Sequence, residues 1–480
     1  MAKRYPGGTS GGRGRPPGGL ARNGRRRRTQ PGGDSDKTPR FGQNLFGSSL
    51  FLGPHTETAC SFNCPGLVFG GKKVPRTGSG TSPMGGIVMA GIARKSLIVA
   101  TCSALVVPLA AGTAQAAPKH PSNGPVVVVS GLNNPRQLSL VHDNVLLIAE
   151  AGKGGTLATI TDPEGGTQGL GYTGSVSAVF GPAWAHNQHP FRIVRGLLSA
   201  AAAEASPDGG PKGGGATGPD GVSAKSLRHI GVVETTFGPA VPAPAQPRDG
   251  HLLLTRPFGP IRPFADITGF EGENDPDHMG VDSNPYAVLA YRGGWLVADA
   301  AGNDVLRVNQ RGDISVFRKF SNITAGPCAG QFDPAPPFAG CNFVPTSLAS
   351  DRRGNVYVGS LSSFAPGQGR VVKLDRYGHT LKVWTGFSTV TGVAVGHDGS
   401  LYVSQLFADP SAPGLPGVLT RVTGSHRTNV DVPFPAGVAV DHDNNVFVSA
   451  FSISPDTGAG IPGIDSSGQV WRLRFGGSEN

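Results

Sequence analysis

The residues of this chain best suited to chemistry are two asparagine–carboxylate pairs, Asn134 with Glu150 and Asn284 with Asp299. Amide and carboxylate oxygens are hard ligands of the kind Ca2+ takes. A cation held by Glu150, Asn284 and Asp299 could polarise an ester carbonyl, as a metal-dependent hydrolase or lyase requires. With Gln405 these four make a candidate ligand-binding set: Asn134, Glu150, Asn284, Asp299 and Gln405. A second acidic group is Glu271, Glu273, Asp275 and Asp277 with His278, whose alternation could turn several carboxylates to one cation. It lacks EF-hand spacing, with no glycine at the sixth place and no glutamate at the twelfth, and a solvated acidic loop is the favoured reading. No nucleophile elbow, zincin, P-loop or Rossmann fingerprint follows Ala117.

The elements that would position these residues repeat. Val390-Thr391-Gly392-Val393-Ala394-Val395 leads through Asp398-Gly399 to Leu401-Tyr402-Val403-Ser404. Forty-five residues on, Pro435-Ala436-Gly437-Val438-Ala439-Val440 leads through Asp443-Asn444 to Val446-Phe447-Val448-Ser449. Copies of the unit start at 135, 219, 285, 345, 390 and 435, and the copy at 219 is the weakest. Each reads as a β-branched strand, a tight turn rich in Asp, Asn and Gly, and a second strand. Third strands follow, such as Asp304 to Val308 and Gly369 to Leu374, and several copies show a short fourth. Four antiparallel strands per repeat of this length make a propeller blade. The expected fold class is therefore all-β, a six-bladed β-propeller over residues 117–480. A stack of β-sandwiches would not repeat one strand–turn–strand unit six times.

Ring closure is also legible. Val126 to Val129 forms a strong strand ahead of the first copy, while the last copy lacks a fourth strand after Phe475. The first strand is expected to complete the last blade, which leaves no open sheet edge. The stretches 209–215 and 239–247 are expected to be exposed flexible loops.

In such a ring the candidate residues fall at two repeated places. Asn134, Gly218, Asn284, Val344, Thr389 and Phe434 stand just before the repeat, and Glu150, Asp299, Ser360, Gln405 and Ala450 end its second strand. Both places face a mouth of the central channel, where ligand sites tend to form. Asn and Asp also cap strand ends and fill turns generally, and no further carboxylate is expected to recur in the other four blades.

The runs Phe270-Glu271-Gly272-Glu273-Asn274-Asp275-Pro276, Asp282-Ser283-Asn284-Pro285-Tyr286 and Val297-Ala298-Asp299-Ala300-Ala301-Gly302-Asn303-Asp304 resemble the ScyD/ScyE family of exported bacterial propellers. Val344-Pro345-Thr346-Ser347 and the terminal blades are similar to it too. The resemblance covers roughly residues 125 to 475 and implies an NHL-like or lactonase-like six-bladed propeller. It implies no established reaction.

The front of the chain differs. Residues 1–88 are rich in Gly, Pro and Arg and carry no sustained apolar periodicity, so they are expected to be disordered. From Met89 a short basic region, an apolar run over 96–110 and Ala114-Gln115-Ala116 read as a signal peptide at 89–116, cut before Ala117. A start at Met89 or Met84, with 1–88 as upstream sequence, accounts for that position. Of the 42 basic and 32 acidic residues, 16 and 3 precede Ala117; the rest holds 26 basic against 29 acidic, a net of −3. The overall +10 therefore belongs to the leader, and no nucleic-acid partner is expected.

Beyond Ala117 only Cys328 and Cys341 remain, an even pair expected to be bonded in an exported chain. These readings describe a secreted monomer without lasting membrane insertion. Its expected role is a binding or scaffold module for a small molecule, glycan or protein, with no cofactor. The competing expectation is a Ca2+-dependent, lactonase-like hydrolase or lyase at the channel mouth.

Overall fold

The computed structural model describes residues 124–475 except 162–166, 182–183, 185, 205–211, 334–335, 410–415 and 459–465. The expected leader at 1–88 and signal peptide at 89–116 lie outside the described residues.

The chain forms six antiparallel sheets in a ring, a six-bladed β-propeller. The innermost strands are Pro135–Val141, Pro219–Ser226, Pro285–Tyr291, Pro345–Ser350, Val390–Val395 and Val438–Val440. Five begin where the repeat predicts. The sixth begins three residues late, although Ala436 N still donates to Ser449 O and Ser449 N to Gly437 O, while Gly437 N donates to Arg136 O of blade 1. The second strands, such as Val145–Glu150, Gly294–Asp299 and Val446–Ala450, are apolar without alternation. Both their faces are covered by neighbouring blades, so each seam has its own core. Leu147 and Ala149 face blade 2 with Val222 and Val232, whereas Leu146 and Ile148 face blade 6 with Phe447 and Val470. The turns take the positive φ their residues allow, as at Gly399 (80°) and Asn444 (58°).

Closure occurs as expected. Val126–Leu132 pairs antiparallel with Gly468–Leu473 and becomes the outermost strand of blade 6. Blade 1 departs from the pattern. Its third strand, Thr167–Phe180, runs for 14 residues and pairs with Phe191–Ala202 on its outer edge and with the short Ala158–Thr161 beside the second strand. These segments are rich in Gly, Ala and Ser, whose weak strand preference hides them from periodicity.

The 239–247 stretch is not a free loop. It forms short 3-10 turns that bury Val241 and Ala245 against Leu170, Leu198 and Phe237. Its few apolar residues find a core because blade 1's long hairpin extends far enough to receive them. Of the 209–215 stretch, residues 209–211 lie outside the described residues, while Gly213 and Gly214 are buried.

Cys328 and Cys341 are bonded, 13 residues apart with Cα atoms 5.3 Å apart, and pack in a small core with Ile323 and Ala365. Replacing both by serine is expected to lower unfolding stability by about 3 kcal/mol, the chain-entropy scale for a loop this short, as read by urea denaturation.

Candidate functional site

The second residue of each innermost strand occupies one place in the ring: Arg136, Asp220, Tyr286, Thr346 and Thr391, with Ala436 as the counterpart in blade 6. All six are buried. Arg136 Nε meets Asp220 Oδ1 at 3.0 Å, its Nη1 donates to Ser452 O at 2.6 Å, and its Nη2 donates to Ala216 O. This one guanidinium ties blade 1 to blades 2 and 6.

Next to it, Gln137 Nε2 donates across the ring to Thr346 O at 3.0 Å and Thr391 O at 2.7 Å, in blades 4 and 5. Thr391 Oγ1 donates to Pro435 O at 2.9 Å, and Ser449 Oγ donates to Arg136 O at 2.7 Å. The innermost strands thus close the centre of the ring with their own polar side chains. Burial lifts the Asp220 carboxyl to about 6 against the opposing pull of Arg136, and burial pushes the Tyr286 phenol up.

At the mouth one bond recurs in every blade. In five blades the residue after the second strand donates its N–H to the carbonyl of the residue before the first: Ala151 to Asn134, Thr235 to Gly218, Ala300 to Asn284, Leu361 to Val344 and Leu406 to Thr389; in blade 6 Ser452, two residues after the strand, donates to Phe434, and all six lie between 2.9 and 3.1 Å. The side chains that end the second strands serve the same corner. Glu150 accepts from Asn133 N at 2.8 Å, from Ser175 and Ser177 Oγ at 3.1 and 2.6 Å, and from Arg192 Nη2 at 2.7 Å. Gln405 accepts from Ser388 N at 2.8 Å and donates to Thr420 Oγ1 at 2.9 Å.

Asp299 accepts from Ser283 Oγ at 2.6 Å, Asn284 N at 2.7 Å and Gly302 N at 3.2 Å. Asn134 donates to Gly152 O and Gly213 O at 2.8 and 3.0 Å. Asn284 accepts from Thr235 Oγ1, and its Nδ2 is buried with no hydrogen-bond partner among the described residues. Asn284 and Asp299 therefore meet within blade 3. Among the described residues no bond joins Glu150 to either of them; its carboxylate is taken up by blade 1.

Sequence reasoning missed Glu234. It pairs with Pro219 as Glu150 pairs with Pro135 and Asp299 with Pro285, so a third carboxylate does recur, in blade 2. The weak blade-two copy hid it. Its Oε1 accepts from Leu198 N at 2.8 Å, Oε2 is buried without a partner among the described residues, and burial lifts the carboxyl to about 8.

The acidic stretch lies on the helix Ile267–Asn274 and the turn after it, in the connection between blades 2 and 3. Glu271, Asp275 and Asp277 bring one oxygen each within 4.8 Å of the others. Glu273 and His278 are exposed and stand outside this group. Burial drives Glu271 up to about 9, reinforced by Asp299, Asp277, Asp275 and Asp282.

No protein-family model matches the chain, and no curated protein matches it in sequence. Solved structures similar to it include a streptogramin B lyase, at TM-score 0.38 and 10% identity over 74% of this chain and 97% of that one. A luciferin-regenerating enzyme is similar at TM-score 0.40 and 10% identity over 74% and 96%. An aldose sugar dehydrogenase from Streptomyces coelicolor in its PQQ-bound form is similar at TM-score 0.35 and 13% identity over 72% and 96%.

Proposed function

We propose that this chain is a non-catalytic binding propeller, an exported monomer of the ScyD/ScyE type that recognises a protein partner with its outer surface. The observation that carries this reading is the seam between blades 1 and 2. Phe180, Phe191 and Phe258 are 45, 50 and 73% exposed and meet in sequence, tilted and then edge to face, with ring centroids 6.4 and 5.8 Å apart. Phe258 N donates to Ile193 O at 2.8 Å, which fixes the blade 2 hairpin beside blade 1.

A groove of about 460 Å³ adjoins them, lined by Arg195, Arg248, Ile261, Pro244 and Pro247. Arg248 is held by Gly196 O at 2.9 Å and lies 5.4 Å over the Tyr172 ring, whereas Arg195 is exposed with no hydrogen-bond or ion-pair partner among the described residues. Exposed aromatics beside arginines are the residue types that dominate protein-binding energy, and contiguous apolar surface on a soluble domain marks an interaction site. The mouth supports the same reading, since Asn134, Glu150 and Gln405 have polar atoms engaged inside the protein. The −3 charge beyond Ala117 argues against a nucleic-acid partner.

A photoreactive phenylalanine analogue at position 258 tests this in the secreting culture. Irradiation is expected to yield one discrete heavier protein adduct, lost when Phe191 and Phe180 are both changed to Ser. The same analogue at Tyr377, exposed on blade 4, should yield none. No adduct at 258, or equal adducts at both positions, would contradict the reading.

A further inference from the structure

Outside the ring centre, the strongest unexplained chemistry is the carboxylate group where the blade 2–blade 3 connection meets blade 3. Glu271 is fully buried, and both its oxygens lack a hydrogen-bond partner among the described residues. Asp304, which opens the third strand of blade 3, is independently in the same condition: fully buried, with both oxygens unpartnered among the described residues. The charge of Glu271 acts on Asp304, and Asp299 and Asp277 act on both. Two buried carboxylates without donors cost several kcal/mol as bare anions, so something must neutralise them.

The site is shaped to bring them together. Asp266 caps the helix by accepting from Gly269 N at 2.7 Å. The helix ends at Asp275 in the left-handed conformation (φ 39°), which turns Asp275 and Asp277 back toward Glu271. Gly302 admits the approach: a Cβ there would lie 3.2 Å from Glu271 Oε2 and 3.3 Å from Asp299 Cγ. Asn303 holds Asp277 Oδ2 at 3.1 Å and accepts from Val344 N of blade 4 at 3.0 Å, so the cluster bears on the next blade as well.

We propose that Glu271, Asp275 and Asp277 form a divalent-cation site of the calcium class that pins the blade 2–blade 3 connection onto blade 3, where the buried Asp304 adds to the negative field. All its ligands are hard oxygens. Oxygens on opposite sides of a Ca2+ ion stand about 4.6–5.2 Å apart, so three carboxylate oxygens within 4.8 Å of one another can share one ion, and a cluster of carboxylates suits Ca2+ better than Mg2+, which keeps several waters. The helix also presents its carbonyl end here, which favours a cation. This site is distinct from the Glu150, Asn284 and Asp299 set and independent of the proposed binding seam.

The test is calorimetric. Chelator-treated full-length protein is melted with CaCl2, MgCl2 or NaCl at matched ionic strength, and Ca2+ is titrated isothermally. Saturating Ca2+ is expected to raise Tm by roughly 5 °C with one ion bound per chain, because the ion binds only the folded state. Glu271→Gln should melt no lower than wild type without metal, since it removes repulsion, and should lose the Ca2+ response. If it fails to fold, Asp275→Asn, only half-buried, should lose the response in its place. An unchanged wild-type Tm, an equal shift with NaCl, an equal or larger shift with Mg2+, or a full response in the variant would each overturn the proposal. The last outcomes would leave Glu271 and Asp304 as buried protonated acids.

Discussion

Arg136→Met is expected to cost about 3–5 kcal/mol of unfolding stability, the scale for removing one partner of a buried ion pair. The substitution strands Asp220, which is fully buried and whose Oδ2 already lacks a hydrogen-bond partner among the described residues. It also deprives Ser452 O and Ala216 O of their donor, so blade 1 loosens from blades 2 and 6 together. Arg136→Lys should recover little, because one ammonium cannot reproduce a planar fork aimed at three acceptors. Arg136→Met with Asp220→Asn should recover part of the loss by removing the stranded charge. Urea unfolding of the four proteins reads this directly, and a loss below about 1 kcal/mol for Arg136→Met would mean that the ring centre is not held by this pair.

Stability should fall, not rise, between about pH 5 and pH 9 when metal is chelated. Burial raises Asp220, Asp249 and Glu234 to about 6, 7 and 8 respectively. A carboxyl whose folded pKa lies above its unfolded value binds its proton more tightly when folded. Its contribution is therefore complete below about pH 4 and is lost as pH climbs through the folded value. The surface carboxylates held low by partners, Asp351 and Asp398 among them, act in the opposite sense but finish titrating below this window.

Glu234 should contribute most among these three. A rise from 4.5 to about 8 corresponds to on the order of 5 kcal/mol. Glu234→Gln keeps an acceptor for Leu198 N and removes the charge, so it should flatten the profile and exceed wild type at pH 9. Urea midpoints at pH 5 and pH 9 check this, and a wild-type midpoint that rises with pH would contradict it.

Much of the ring was legible because blade chemistry is periodic. Val446 to Ala450 and its counterparts are apolar without alternation because both faces are buried, and Asp143-Asn144, Asp398-Gly399 and Asp443-Asn444 mark the first reversal in blades 1, 5 and 6. Closure by Val126–Leu132 followed from a strand lacking on the last copy. Blade 1's hairpin was hidden by its Gly and Ala content.

The candidate site was half legible. Asn284 and Asp299 do meet, and Glu271, Asp275 and Asp277 do cluster. What could not be seen is which oxygens are already used. The bonds that engage Glu150 come from Arg192 and two serines of the hairpin that periodicity missed. The ring centre escaped notice for a related reason. Arg136, Asp220 and Gln137 lie far apart in sequence, and only closure of the ring brings blade 1 against blades 2, 4 and 5. The one available signal was the common place of Arg136 and Asp220, each directly after a strand-opening proline.

The claim that this propeller binds rather than catalyses is tested most directly by turnover. Purified protein is assayed against a panel of lactones and esters, with Ca2+, Mg2+ or chelator, beside Asp299→Asn and Glu150→Gln. A filled ring centre and a mouth whose carboxylates serve backbone corners predict hydrolysis no faster than buffer for all three proteins under every condition. Turnover of any panel member that depends on metal and collapses in Asp299→Asn would contradict the account and place a working active site at the blade 3 mouth.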